Sequence, residues 1–512
     1  MTSLLSNVTL PSIRDLSAFS PELVLIAAIV VVLLLPLGLP KRSRATAVVA
    51  ALGAFLAAGL SAAVYVLGRG PSTGCPLSDA LGPAFSGLLV TDGLSCFLRA
   101  VIYAFLGLVC VMWLITASRR PGDASATHPP EFFVLILSAA VGMGLMVATN
   151  NLLMVVIAVE LASLPSYAMA GFQKHQRPGA EAALKYVIFG AASAAMMIYG
   201  VSLLYGYYGT LDAGAIGDQL RSGHFDLAAG IGLIGLLAGV AFKISAVPMH
   251  FWCPDVFEGA AVEVATFLSV ASKAAGLTLL VRLAGDIGGF AAGAAPVPAG
   301  SWTIALVIGI VASVTATIGN LAALGQDNLK RLLAYSSIAH AGYILMAGTI
   351  LSDRTGAQAV MLYLLVYLFM NLGAFSVVAI VYNHTGGERM SALSGLGRRA
   401  PVLAISMALF MVSLVGLPPL AGFGAKYQLF YALFTYQPYP LQWLVAVGLL
   451  NTLISLFYYM RVVKAMFLES SDAAPLQVGR LATGWVVALA APVTLLLVVW
   501  NPLAQWTSYF CR

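Results

Sequence analysis

The stretch from Pro21 to Pro40 holds a single charged side chain, Glu22, and apolar runs of about this length recur along the whole sequence. Twenty residues in an α-helix rise about 30 Å, the thickness of the hydrocarbon core of a bilayer. Such a run has few folded options. In lipid every backbone donor and acceptor needs a partner within the protein, and a helix supplies them locally. Composition closes the alternatives. Hydrophobic residues fill 60% of the 512 positions and charged residues 9%, where soluble proteins carry about 25% charge. A water-soluble globule is excluded because its exterior must stay wet, and disorder because so much apolar surface would remain unburied. A β-barrel is disfavoured because the runs are continuous instead of alternating.

Fourteen runs qualify: roughly 21–40, 45–68, 93–117, 131–149, 152–172, 180–206, 228–250, 262–285, 302–324, 329–350, 355–383, 401–435, 441–468 and 483–507. The expected fold is an all-α integral membrane bundle of about fourteen transmembrane helices. Short connections at Asn150–Asn151 and Gly325–Asn328 force adjacent antiparallel pairs. The first run is too long for a signal peptide and lacks a basic lead and a small-residue cleavage site. Five cysteines, Cys75, Cys96, Cys110, Cys253 and Cys511, form no C-x-x-C pair and no cluster, so neither an iron–sulfur centre nor structural zinc is expected. Phosphate-binding glycine loops in a strand–helix context are absent as well.

Charge orients the chain. Of its 26 Lys and Arg, fifteen fall on one set of alternate loops and six, none of them lysine, on the opposite side with both termini. The richer side is expected to face the cytoplasm and the termini to lie outside. The net charge of +6 therefore needs no nucleic acid to explain it. Five cations remain inside the runs: Arg99, Lys185, Lys243, Lys273 and Lys426. Arg99 lies six residues into its helix and is expected to snorkel outward. The lysines have no such exit, and Glu160 reads as the single mid-span carboxylate. A charge at the bilayer centre costs about 2.5–3.5 kcal/mol on insertion scales, so such groups must face the interior, pair, or meet water. A structural interhelical ion pair is one reading and a proton relay the other. Lysine near its ordinary pKa of about 10.4 carries protons poorly at neutral pH, but desolvation and a movable carboxylate can swing a buried lysine between holding and releasing one.

Two runs are interrupted beside a lysine. Pro248 follows Lys243 by five residues, and Gly416-Leu-Pro-Pro precedes Lys426. Proline removes a backbone donor and clashes with the preceding turn. A packing kink would explain either; their coincidence with two lysines favours broken helices at the seventh and twelfth spans. Spans four to eight would then correspond to nine to thirteen as inverted five-helix repeats. The expected organisation is residues 1–130 for helices one to three, 131–290 for the first repeat, 291–470 for the second, and 471–512 for helix fourteen. Of six histidines, His340 lies within span ten and His250 beside the first break; each is a relay candidate or a hydrogen-bonded core histidine.

The segment Phe242-Lys-Ile-Ser-Ala-Val-Pro-Met-His-Phe-Trp-Cys-Pro-Asp-Val-Phe-Glu-Gly-Ala, with Phe267-Leu-Ser-Val-Ala-Ser-Lys, Glu160-Leu-Ala-Ser-Leu-Pro, Glu181-Ala-Ala-Leu-Lys-Tyr and Asn328-Leu-Lys-Arg-Leu-Leu-Ala-Tyr-Ser-Ser-Ile-Ala-His, resembles the antiporter-like membrane subunits of proton-pumping NADH:quinone oxidoreductase, respiratory complex I. The similarity runs from about residue 85 to 470 and is nearest the N-type branch. It implies that Glu160 and Lys185 form a switchable pair, that Lys243 and Lys273 are the central relay, and that Lys426 is the exit-side or connecting lysine. The M-type branch characteristically carries glutamate at that last position, and the L-type adds a lateral helix for which the fourteen runs leave no segment. Cys253 departs from the family's usual threonine. The resemblance further implies a bacterial inner-membrane subunit of a translocase, partnered by other membrane and peripheral subunits and by the lipid bilayer. NADH, FMN, iron–sulfur clusters and quinone would belong to those other subunits, with no cofactor in this chain. A subunit of a Mrp-type sodium/proton antiporter or of a membrane-bound hydrogenase, or an independent secondary transporter, is the alternative.

Overall fold

The computed structural model describes residues 11–38, 44–68, 81–116, 128–173, 176–288, 301–350, 354–436, 440–471 and 474–510. Single-turn and 3₁₀ segments aside, the helices are α1 Ile13–Ala18, α2 Ser20–Leu34, α3 Ala45–Gly68, α4 Gly93–Thr116, α5 Pro129–Met146, α6 Leu152–Ala170, α7 Arg177–Tyr208, α8 Ala213–Arg221, α9 Leu227–Ile244 and α10 Trp252–Gly259. They continue as α11 Val262–Gly288, which contains one π-helical turn, α12 Ser301–Leu324, α13 Leu329–Ala347, α14 Arg354–Thr385, α15 Pro401–Val415, α16 Ala421–Thr435, α17 Gln442–Leu468, α18 Arg480–Leu495 and α19 Trp500–Phe510. Among the described residues, 11 helices are long and apolar enough to cross a membrane, or up to 12 if one bent pair counts as a single span. The chain is therefore an all-helical, multi-pass membrane protein. One antiparallel hairpin, β1 Gly82–Ala84 against β2 Leu89–Thr91, sits in a segment whose Gly/Pro content hides it in the sequence.

Three of the fourteen runs fall short of a simple span. Helix α13 carries Lys330 and Arg331 in its first turn and is more polar than the rest. The run 401–435 is two helices of 15 residues each, separated by Gly416–Leu420, where Pro418 and Pro419 cannot donate to the preceding turn. The run 483–507 is α18 and α19, bent by 88°. Pro502 falls in the first turn of α19, where a missing N–H costs nothing.

Local chemistry recurs along the chain. Asn151 and Asn328 each cap the following helix, their Oδ1 atoms accepting two backbone N–H groups. Each sits in an isolated antiparallel bridge, Asn151 with Asp212 and Asn328 with Arg389. Each is followed by a helix of 19 residues and then one of 32. Helices α9 and α15 both end on a left-handed residue, Ser245 at φ 58° and Gly416 at φ 86°. Both close with the same six-residue bond, Ala246 N–H to Ala241 O at 2.9 Å and Leu417 N–H to Val412 O at 3.3 Å. Helices α11 and α17 are each 27 residues long.

Close helix approach recurs too. A Cβ on Gly142 would lie 2.4 Å from the Ala162 backbone nitrogen, and one on Gly319 would lie 2.6 Å from that of Ala339. Small residues let membrane helices approach this closely. Gly319→Val is expected to cost about 1–3 kcal/mol, the usual penalty for overpacking a tight interface; a matching fall in the thermal midpoint of the detergent-solubilised protein would register it.

Burial places the core. The apolar windows of α11 and α14 are 94% and 89% buried, those of α2, α7 and α17 only 28%, 33% and 33%. Leu184, Val187, Ile188 and Ile198 of α7 face outward, as lipid-facing residues should. Arg99 of α4 does not snorkel. It is 1% exposed, its Nε lies 3.0 Å from Glu22 Oε1, and Tyr103 Oη donates to the same oxygen at 2.7 Å. Arg99 also donates to the carbonyls of Ala18 and Gly144. The carboxylate of α2 supplies inside the bundle the partner that water would have supplied outside. Glu22 and Glu263, both buried, thus join Glu160 as carboxylates within the spanning helices.

Candidate functional site

Four lysines among the described residues are buried; Lys330, in the first turn of α13, pairs with Glu388 at 2.7 Å, and the other three lie on three different helices with no salt bridge among those residues. Lys243, in the last turn of α9, is 1% exposed and donates to Ser163 Oγ at 3.1 Å. Ser163 lies one turn beyond Glu160 on α6, so the lysine sits beside the face that carries the carboxylate. Lys273, on α11, is 2% exposed. Its Nζ donates to Ser337 Oγ of α13 at 2.6 Å and approaches Cys253 Sγ at 3.9 Å. Lys426, on α16, is 4% exposed and donates to the Val415 carbonyl at 2.9 Å and to Thr452 Oγ1 at 3.3 Å. Its ammonium also lies 4.3 Å above the Tyr343 ring.

The helix breaks explain two of these placements. Where α15 ends, its last carbonyls lose their intrahelical donors and carry the negative end of the helix dipole. The ammonium of Lys426 occupies that end. The turn needs Gly416, since φ there is 86° and a Cβ would meet the Lys426 stem at 2.8 Å. At the other break, Lys243 rides in the final turn of α9, directly before the left-handed Ser245.

Hydrogen-bonded polar groups cluster around α13. His340 is buried and shares hydrogen bonds with Tyr363 Oη at 2.8 Å and Tyr459 Oη at 3.3 Å. Tyr459 Oη meets Ser336 Oγ at 2.5 Å. Asn371 donates to Ser269 Oγ at 2.7 Å and Tyr367 Oη at 2.9 Å. Asn320 donates to Tyr343 Oη at 3.3 Å and to Asn451 Oδ1 at 3.1 Å, and Tyr458 donates to Asn320 Oδ1 at 3.0 Å. Hydroxyls and amides can each accept and donate, which is what proton transfer between lysines requires.

Lys185 is placed differently from the expectation. Its Nζ lies 2.6 Å from Asp255 Oδ2 and 2.6 Å from Glu181 Oε1, and the side chain is 37% exposed. Glu160 is half-buried and makes no salt bridge or hydrogen bond among the described residues. The i, i+4 spacing on α7 brings Glu181 beside the lysine, and α10 lays Asp255 across it. His250 is buried beside Phe251 and, among the described residues, has no bond to a lysine and no hydrogen-bond partner for Nδ1.

Sequence reading missed Ser163, Ser337, Asp255, Tyr363 and Tyr459. Hydroxyls are too common in membrane helices to stand out singly. Asp255 alone carried a signal, as a charge directly after a broken helix. Cys96, Cys110 and Cys253 are buried free thiols, and no group of three or more His, Cys, Asp or Glu among the described residues could hold a metal ion; Cys75 and Cys511 lie outside the described residues.

A bundle with buried lysines at two helix breaks defines a membrane unit of the antiporter type. Residues 149–455 match the family described as NADH:quinone oxidoreductase/Mrp antiporter, transmembrane region, and the chain belongs to that family. It is 41% identical, over 97% of its length and 96% of the relative's, to NADH-quinone oxidoreductase subunit N of Anaeromyxobacter sp. (strain Fw109-5). Among solved structures it resembles a chain of respiratory complex I from Thermus thermophilus, with a TM-score of 0.74 at 30% identity, covering 95% of this chain and 98% of that one. A chain of the Mrp complex from Dietzia sp. DQ12-45-1b has the same fold, with a TM-score of 0.77 at 19% identity, covering 98% of this chain and 97% of that one.

Proposed function

We infer that this chain is the N-type membrane subunit of a proton-pumping NADH-quinone oxidoreductase, moving protons through its interior while quinone is reduced elsewhere in the complex. The observation that carries the reading is the series Lys243, Lys273 and Lys426, each at most 4% exposed and each bonded to hydroxyl or carbonyl oxygen. Such burial is costly, and ionisable groups inside a membrane bundle mark ion or proton pathways. The near-full-length identity to a subunit N favours this reading over a Mrp-type antiporter, with which the chain shares the family and the fold at 19% identity.

In this reading Glu160 and Lys185 admit or release a proton at one end, Lys243 and Lys273 relay it, His340 with its tyrosines spans the middle, and Lys426 connects onward. The span count is fourteen: eleven long apolar helices, then α13, the broken pair α15–α16 and the bent pair α18–α19. The paired caps, bridges and helix lengths support two five-helix repeats over 131–290 and 291–470. The excess of basic residues in alternate loops puts both termini on the outer side of a bacterial inner membrane.

Lys243→Ala in the assembled complex is expected to lower proton pumping in vesicles by about a hundredfold, the order of effect of removing a positioned acid–base group. NADH oxidation by an artificial electron acceptor should persist. Unchanged pumping in a normally assembled variant would sink the relay. Mass spectrometry of the gently solubilised complex should find redox subunits; antiporter subunits alone, or no partner, would point to the alternatives.

A further inference from the structure

The relay gives Asp255 no role, yet its two oxygens each hold a cation. One oxygen accepts from Lys185 at 2.6 Å and the other from Arg331 Nη1 at 2.6 Å. Arg331 bonds Glu258 Oε2 at 2.7 Å as well. Helix α10, which bears Asp255 and Glu258, follows the break after Lys243. Arg331 belongs to α13, the helix of Ser337 and His340. A single cluster therefore touches the α7 lysine, the segment beyond the first break and the helix that links the two halves.

We propose that Asp255 is a positioning residue, a second seat that holds Lys185 away from Glu160, so that the lysine alternates between the two carboxylates as α10 moves. The inference rests on the function proposed above. Three features carry it. Glu160, on the adjoining helix, makes no salt bridge among the described residues while Lys185 sits on Asp255 and on its own helix's Glu181. Asp255 keeps Arg331 when the lysine leaves, so that seat is not abandoned as a bare charge, the usual obstacle to breaking such a pair. And both bonds to Asp255 are carried by α10, whose attachment to α9 is the non-helical stretch from Ser245 to Phe251, so displacement at the Lys243 break moves the seat. A ligand or proton can shift such an equilibrium only through differential contacts in the two states, and these two carboxylates supply them.

The test uses the intact complex. Asp255→Asn is expected to lower the proton-pumping rate roughly fivefold, the lower range of coupling between sites, at unchanged complex content. Asp255→Glu should recover most of it. In a Lys185→Ala background, Asp255→Asn should add nothing, because Asp255 acts through the lysine. A wild-type rate in Asp255→Asn, an additive loss in the double variant, or a fall in complex content that is equal with and without Lys185 would each overturn the proposal. The two readings separate on Lys185→Ala alone. Normal pumping there removes Lys185 from the relay, whereas an impaired Lys185→Ala beside a normal Asp255→Asn removes only the second seat.

Discussion

Arg99→Ala should destabilise the protein by about 3–5 kcal/mol, the cost of stranding one partner of a buried ion pair. Glu22 is 0% exposed, and Arg99 is the cation bonded to it. Without the guanidinium, the carboxylate keeps only the Tyr103 hydroxyl, while its Oε2 already lacks a hydrogen bond. The carbonyls of Ala18 and Gly144 lose a donor at the same time. Thermal unfolding in detergent and the yield of assembled complex should both fall. The pair need not be net stabilising to give this result. Replacing both ends with apolar residues, Arg99→Met with Glu22→Leu and Tyr103→Phe, should recover most of the loss, since no charge then stays behind. A triple apolar variant as unstable as Arg99→Ala would mean that the arginine acts through its packing alone.

The second large effect is expected at Lys273. Its ammonium, with Ser337, is the direct bond between α11 and α13, and so between the helix that completes the first set of lysines and the helix that carries His340. Lys273→Ala should reduce pumping to near background while leaving acceptor-linked NADH oxidation intact. Ser337→Ala should act more mildly. A hydrogen bond to a charged group is worth about 1.5–3 kcal/mol, so losing the 2.6 Å contact should slow pumping by about tenfold or more. Equal rates for Ser337→Ala and the parent chain would show that the hydroxyl merely fills space.

Much of the fold was legible because its signals are local. Run length requires no neighbours, and proline lacks its backbone donor whatever surrounds it; both lysine-bearing breaks fall beside Pro248 and Pro418–Pro419, although α6 and α18 accommodate Pro165 and Pro492. The bend at 496–499 was missed because Pro502 is compatible with either a kink or a new first turn, and only packing selects between them. The candidate site was half legible. Lys243, Lys273, Lys426 and His340 were found because a buried charge or imidazole in an apolar run is anomalous. Their hydroxyl partners were not, since Ser163 and Ser337 satisfy themselves on their own helices through Val159 O and Ala334 O and leave no anomaly in the sequence.

Pairing is where reading along the chain reached its limit. Hydrophobicity and proline act on one helix at a time, so they gave the membrane, the approximate spans and the residues out of place within them. Which charge meets which depends on how helices rotate and cross, through contacts such as Gly142 on Ala162. That geometry turned Arg99 inward to Glu22 and drew Lys185 to Asp255 instead of Glu160. A side chain's partner belongs to the packed bundle because the energy of an ion pair depends on distance in space, and distance along the chain does not set it.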